Sequence, residues 1–298
     1  MQLGYACINL SLSKSNKITT NRSMIKNTFL KKGISYAGEL ALLNCIDLIK
    51  ILEWNVENRI GFFRISSDIF PWASHYNIID LPQYQEIKNT LKVAGNIAKK
   101  NSLRLTAHPG PFNVLVSPNP SVVENTIKDL QIHGEIFDLL GLSFSPYNKI
   151  NIHCNGVYGD KKTAMDRFCF NYQKLPDSVK TRLTVENDDK SSMYSVQDLM
   201  YINNKIGIPI VFDYHHHKFC SGDLSEKKAL ELAISTWPQN IVPVVHYSES
   251  KSFHENNPEV KPQAHSDYID KLPNLYGYDV DIMVEAKAKE LSILPYID

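Results

Sequence analysis

The chain has 298 residues, 43% of them apolar and 21% charged, and its 32 Lys and Arg balance its 32 Asp and Glu. This composition excludes a disordered chain and is that of a globular protein with room for one large α/β domain or two small ones. A net charge of zero argues neither for nor against a nucleic-acid partner, so only local charge can speak. Five scattered cysteines suit a reducing compartment better than a disulfide framework. The start, MQLGYACINL, lacks a secretory pattern, and no run reaches transmembrane length, so no membrane association is expected.

In chain order, short apolar runs alternate with helical stretches. LGYACINL (3–10) reads as a strand, and YAGELALLNCIDLIKILEWNVENR (36–59) as a helix with apolar steps of three and four. IGFFRIS (60–66) is the next strand, then the helical LPQYQEIKNTLKVAGNIAKKN (81–101), then the strand LRLTAH (103–108). SVVENTIKDLQIHGEIFDLLG (121–141) begins with a Ser able to cap and ends in Gly. Strands KINIHC (149–154) and RLTVEN (182–187) precede the helical SVQDLMYINNKIG (195–207). Strand IPIVFDY (208–214), helix LSEKKALELAISTW (224–237), and strands IVPVVHY (241–247) and VDIMVEA (280–286) complete the series. Alternating βα units predict a parallel sheet. Eight of them predict a (β/α)8 TIM barrel occupying residues 1–298 as one domain. An open doubly wound sheet is the alternative, but it would carry a Gly-rich phosphate loop after the first strand, and INLSLSKSN is not one.

Six of the eight strand-like runs end in a histidine or a carboxylate: His108, His153, Glu186, Asp213, His246 and Glu285. In a barrel these ends ring one mouth, where active sites sit. Three imidazoles with three carboxylates make a borderline-to-hard donor set that suits Zn²⁺ or Mn²⁺, and more donors than one ion needs points to two or three ions sharing a carboxylate. Taken singly, each residue has a bland reading as a hydrogen-bonded strand end. Together they do not, because buried charges are rare unless paired or metal-bound. His133, in mid-helix, and His254, in a loop, are expected to lie outside the site.

HPG (108–110), IHCNGVYGDK (152–161), LTVENDD (183–189), VFDYHHH (211–217), VHYSES (245–250), AHSDYI (264–269) and DIMVEAKAKE (281–290) resemble the UV damage endonucleases. So do LGYACINL and FRISSDIFPWASH (63–75), and the likeness runs from about residue 2 to 291. The resemblance implies a TIM barrel related to endonuclease IV. It implies hydrolysis of damaged double-stranded DNA on the 5′ side of cyclobutane dimers and 6-4 photoproducts, with action on abasic sites, leaving a 3′-hydroxyl and a 5′-phosphate. It implies two or three divalent ions, with Mn²⁺ first and Zn²⁺ or Mg²⁺ as alternatives. His108, His153 and Glu186 would hold one ion. Glu186, Asp213, His246 and Glu285 would hold a second, and His216 with His265 a third. His215 and His217 would orient their neighbour. Two ions roughly 4 Å apart can bind a scissile phosphate, lower the pKa of a water and stabilise the leaving 3′-oxygen.

For DNA contact, the segment Ser11–Gly38 has six cations and no acid: Lys14, Lys17, Arg22, Lys26, Lys31 and Lys32. As a long loop beside the metals it would bind phosphates. Trp72 and Tyr76 either stack on bases or pack their loop. The resemblance adds Tyr5 and Asn9 near the lesion, and His75 as a metal or phosphate contact. It also exposes two departures. Pro111-Phe112 stands where the family has Gln and an aromatic residue that probe the opposite strand, so an apolar wedge remains without the amide. Val244 stands where the family often has a Lys that becomes carboxylated near the metals, so no bicarbonate dependence of that origin is expected. A monomer in a cytoplasmic, nucleoid-associated or viral setting is expected, and no nuclear signal stands out. Two other readings compete: a xylose-isomerase-like sugar isomerase or epimerase, and a non-catalytic protein that binds damaged DNA.

Overall fold

The computed structural model describes residues 1–297. Eight parallel strands close into a barrel in sequence order: β1 Leu3–Ala6, β2 Phe62–Ile65, β3 Arg104–Ala107, β4 Ile150–His153, β5 Leu183–Glu186, β6 Ile210–Asp213, β7 Val244–Tyr247 and β8 Asp281–Val284. β8 pairs with β1 through Leu3–Ile282 and Tyr5–Val284. The predicted TIM barrel is therefore the observed fold.

Helices fill the connections: α1 Leu10–Asn16, α2 Lys26–Glu57, α3 Tyr84–Lys100, α4 Pro120–Leu139, α5 Lys161–Tyr172, α6 Asp177–Lys180, α7 Val196–Ile206, α8 Tyr214–His217, α9 Glu226–Ser235, α10 Lys251–His254 and α11 Glu290–Ile293. Their ends follow local chemistry. α7 starts at a capping box between Ser195 and Asp198 and stops at Gly207, whose φ of 70° is left-handed. α4 is capped by Asn119 rather than Ser121, because Pro120 takes the first helical position, where its missing N–H costs nothing. α3 and α4 approach closely at Gly95, where a Cβ would stand 1.7 Å from the Leu140 carbonyl oxygen. No helix among the described residues is long and apolar enough to cross a membrane.

The segment after β1 corrects the sequence reading. It is not a loop reaching Gly38: α1 lies within it and α2 begins at Lys26, with non-helical geometry at Gly33 (φ 64°, ψ −161°). Lys26, Lys31 and Lys32 therefore belong to the first turns of α2.

Strand alternation decides what faces where. Tyr5, Phe63, Leu105, Ile152, Val185, Phe212, Val245 and Val284 point outward into the core shared with the helices. Phe62, Val211, Val244 and Met283 form a smaller apolar cluster inside the barrel. The floor is closed by Arg104, which is fully buried. Its guanidinium donates to Asp281 on β8 at 2.8 Å and to the carbonyls of Tyr147, Val242 and Pro146. Burial lowers the pKa of Arg104, and Asp281 pulls it back up. A buried pair broken from one side leaves an uncompensated charge. Arg104→Met should therefore destabilise the fold by about 3–5 kcal/mol in urea denaturation. A loss within experimental error of zero would show that the pair does not close the barrel.

Candidate metal centre

Counting back in twos from each candidate explains the site. His108, His153, Glu186, Asp213, His246 and Glu285 share the inward parity of Thr106, Asn151, Thr184, Val211, Val244 and Met283. All six therefore rise from the inner wall at the C-terminal mouth. Glu186 is the hub and is fully buried. Its Oε2 lies 3.1 Å from His108 Nε2 and 2.9 Å from His246 Nδ1, and it accepts from the Asn151 amide. Its Oε1 lies 3.3 Å from His216 Nδ1.

Ligand atoms converge in three groups, each within 4.8 Å: His108, Glu186 and His246; His153, Glu186 and His216; Asp213, His246 and Glu285. Glu186 and His246 each belong to two groups, as a cluster of ions with shared ligands requires. Glu186 Oε1 and Asp213 Oδ2 are buried and accept no hydrogen bond. Buried carboxylate oxygens without donors are costly unless a cation meets them. Three carboxylates with neighbouring imidazoles therefore fit divalent ions. A fourth group, Glu249, His254 and Asp270, lies on the segment after β7. It is met by its own donors: Glu249 accepts from Tyr247 and from the Asp270 N–H, and pairs with His254.

The electrostatics follow from crowding buried anions at the barrel mouth. Burial works against ionisation of Glu186, but the His246 and His153 imidazoles hold its carboxyl well below the usual range. Burial also opposes Glu285, and Arg64 with His246 keeps it well below too. Asp213 is pushed up by burial, only partly offset by His216. Burial drives His246 down to about 3. His216 overcomes its burial and rises well above its ordinary value, beside Asp213 and Glu186.

Two cations in this balance were not singled out from the sequence. Arg64 donates to Glu285 Oε1 at 2.5 Å and lies 3.2 Å from His246 Nε2. Lys149 is fully buried with Nζ 3.0 Å from the same Nε2. Burial, followed by the charge of Arg64, holds the Lys149 ammonium well below the usual lysine pKa. Val244 faces the barrel interior as an apolar side chain, so the lysine in the barrel comes from the start of the fourth unit rather than from β7. Parity was the available signal. Arg64 lies two residues after Phe62, and Lys149 two before Asn151.

The triplet divides its roles. Asp213 Oδ1 accepts from the His216 N–H at 2.7 Å and so caps α8. That turn directs His216 to Glu186. His215 turns to the Gln263 carbonyl, with Nε2 3.0 Å away, and His217 packs on Phe212. His265 lines the same cavity of about 350 Å³ as His108, His153, His216 and Glu285. Its Nδ1 is 2.7 Å from the Ser248 hydroxyl and its ring is 6.2 Å from that of His216, so it stands outside the three ligand groups.

Several residues expected at the DNA are engaged within the protein. Tyr5 has outward parity and is fully buried, donating to Asn55 on α2 and accepting from Asn9. Asn9 is buried and caps α1 by accepting from the Leu12 N–H. Neither offers a surface to a duplex in this arrangement. Arg22 is a loop staple, donating to Asp47 at 2.5 Å and to the Thr19 and Lys17 carbonyls. Trp72 stacks on Phe29 and donates to the Met24 carbonyl, while Tyr76 is buried against Pro71, so both pack their loop. His75 is exposed beside Trp72, belongs to none of the ligand groups, and lines a cavity with Gly110 and Phe112. Lys14, Lys17 and Pro111 are exposed, and Phe112 is 87% exposed. Pro111 also lines the ligand cavity. His133 is buried on α4, and His254 pairs with Glu249.

The D-psicose 3-epimerase of Clostridium cellulolyticum shares the barrel at a TM-score of 0.53 but is only 14% identical over 80% of this chain and 78% of that one, a likeness of fold alone. The solved structure of SacUVDE superposes at a TM-score of 0.86, with 32% identity over the whole of this chain and 96% of that one. The UV DNA damage endonuclease of Clostridium perfringens is 35% identical over all of this chain and 70% of its own length. The UV-damage endonuclease of Schizosaccharomyces pombe is 37% identical over 98% of this chain, which spans about half (49%) of that longer protein. The family model described as UV-endonuclease UvdE matches residues 1–298, so the chain belongs to that family.

Proposed function

We propose that this chain is a metal-dependent DNA repair endonuclease. It hydrolyses the phosphodiester immediately 5′ to cyclobutane dimers and 6-4 photoproducts, and at abasic sites, leaving a 3′-hydroxyl and a 5′-phosphate. The observation that carries this reading is Glu186, a fully buried carboxylate shared by two ligand groups, with one oxygen accepting no hydrogen bond. His108, His153, Glu186, Asp213, His216, His246 and Glu285 would hold two or three divalent ions, Mn²⁺ being the first choice and Zn²⁺ or Mg²⁺ alternatives. His265 would join them after a movement of the segment beyond β7. Bound there, the ions would supply Lewis acidity to a phosphate oxygen and a nucleophilic water at neutral pH.

The chain's own groups do the rest. Asn151 orients Glu186 by donating to Oε2, and Arg64 holds Glu285, which lines the cavity, by donating to Oε1. Phe112 stands at the rim as an apolar wedge against a distorted base stack, where it would substitute for an unstacked base. Lys14 and Lys17 are free to meet phosphates, unlike Arg22. The exposed wedge and these cations favour a polymeric anionic substrate over a sugar, and the ligand set favours catalysis over mere binding. The protein is proposed to act as a monomer on double-stranded DNA.

Irradiated and unirradiated supercoiled plasmid should be incubated with the protein and Mn²⁺, with and without chelator. Nicking confined to irradiated plasmid and abolished by chelator is expected, and Glu186→Gln should lower the rate by at least about a hundredfold. Binding without nicking would support a damage-binding protein, and neither activity would return the sugar reading. Phe112→Ala should weaken binding to irradiated duplex about tenfold while leaving cleavage under saturating enzyme nearly unchanged. Equal affinity in a gel-shift titration would remove the wedge from the account.

A further inference from the structure

Arg64 rises from the inner wall of the barrel two residues after Phe62 and is only 7% exposed. It lines the ligand cavity together with His108, His153, His216, His265 and Glu285. Among the described residues lining that cavity it is the one arginine or lysine. An anion entering there therefore meets a single cation whose charge does not depend on pH.

The protein uses only part of this guanidinium. All of its hydrogen-bond-range contacts run through Nη2, to Glu285 Oε1 at 2.5 Å and to the two ring nitrogens of His246 at 3.2 and 3.5 Å. A nitrogen almost equidistant from both ring nitrogens lies on the lone pair of neither, so Glu285 is its one well-placed acceptor. Nε is buried without a partner, and Nη1 has none among the described residues. A guanidinium carries five N–H donors and binds most strongly when two of them grip one anion. If neutralising Glu285 were its whole task, the compact charge of a lysine would serve as well. The fork is kept, nine-tenths buried, with most of its donors unspent, on the wall of the cavity that the ligand groups enclose. A phosphate is the anion that the proposed reaction brings to this cavity, and its oxygens match the fork.

We propose that Arg64 is a catalytic residue, whose guanidinium grips the non-bridging oxygens of the scissile phosphate through the nitrogens that the protein leaves unused. The assignment rests on the endonuclease reading above. In that reaction the bond from phosphorus to the 3′-oxygen breaks, the bond to a water oxygen forms, and one water proton ends on the 3′-oxygen. Negative charge grows on the non-bridging oxygens on the way, so the contact tightens most in the transition state and acts on the rate.

Arg64→Met and Arg64→Lys separate this role from that of a counterion. Single-turnover nicking of irradiated plasmid at saturating Mn²⁺ should slow at least about a hundredfold in Arg64→Met. Arg64→Lys, which keeps the charge but not the fork, should slow it at least about tenfold. Bound Mn²⁺, counted by equilibrium dialysis, should equal wild type in both, and further Mn²⁺ should not restore the rate. Arg64→Lys keeps a cation beside Glu285 and decides the matter alone if Arg64→Met does not fold. The proposal is overturned if Arg64→Lys nicks at the wild-type rate, if either variant binds fewer ions, or if added Mn²⁺ restores the rate. Each of these would leave Arg64 a counterion of Glu285. Wild type is assayed first in the same series. Its failure to nick irradiated plasmid would overturn the endonuclease reading, and this assignment with it, whereas nicking by wild type and variants alike overturns the assignment alone.

Discussion

Three carboxylates brought to one mouth of a barrel repel, and most of this structure can be understood as the arrangement that tolerates them. Glu186, Asp213 and Glu285 come from three different strands, so backbone pairing rather than any local motif forces them together. The compensation is likewise spread around the ring. His108 and His246 approach one oxygen of Glu186 and His216 approaches the other, while Arg64 takes one oxygen of Glu285. What remains unmet, Glu186 Oε1 and Asp213 Oδ2, is where added positive charge has most to contribute. Removing the ring of neighbours from any one strand would leave the others with a buried charge and no partner.

The barrel supplies this arrangement because side chains two residues apart on a strand share a face. That rule made much of the site legible from the sequence. Runs ending in His or a carboxylate were recognisable one at a time, and the βα count brought their ends to one mouth. The same rule explains what was missed. Arg64 and Lys149 lie one and two layers below the strand ends, inside runs that read as plain apolar strands, and only counting parity back from Glu186 or His153 would have turned them inward. Tyr5 is the converse. It lies beside Ala6 at a strand end, but odd parity sends it outward to Asn55, and its match to a family position says nothing about which side of the strand it occupies.

The loops were the least legible part, for a different reason. Charge composition marked residues 11–38 as basic, but not which cations were already engaged. Arg22 is consumed by Asp47 and two carbonyls, and three lysines ride on α2, leaving Lys14 and Lys17 free at the level of α1. Likewise Trp72 and Tyr76 are satisfied by Met24 and Pro71, and of the aromatic residues expected at the DNA only Phe112 is left exposed. Partner choice in loops depends on long-range contacts that no local pattern encodes. Of the residues expected at the DNA outside α2, the exposed ones are therefore fewer than the sequence indicates: Lys14, Lys17, His75, Pro111 and Phe112.

The central claim is that the strand-end ring, and not some other cluster, holds the ions. Anomalous diffraction from crystals soaked in Mn²⁺ tests it directly. The account predicts at least two peaks inside the ring, with Glu186 a ligand to two of them and His246 or His216 among their neighbours. A ring without anomalous density, or density only beside Glu249, His254 and Asp270, would contradict it.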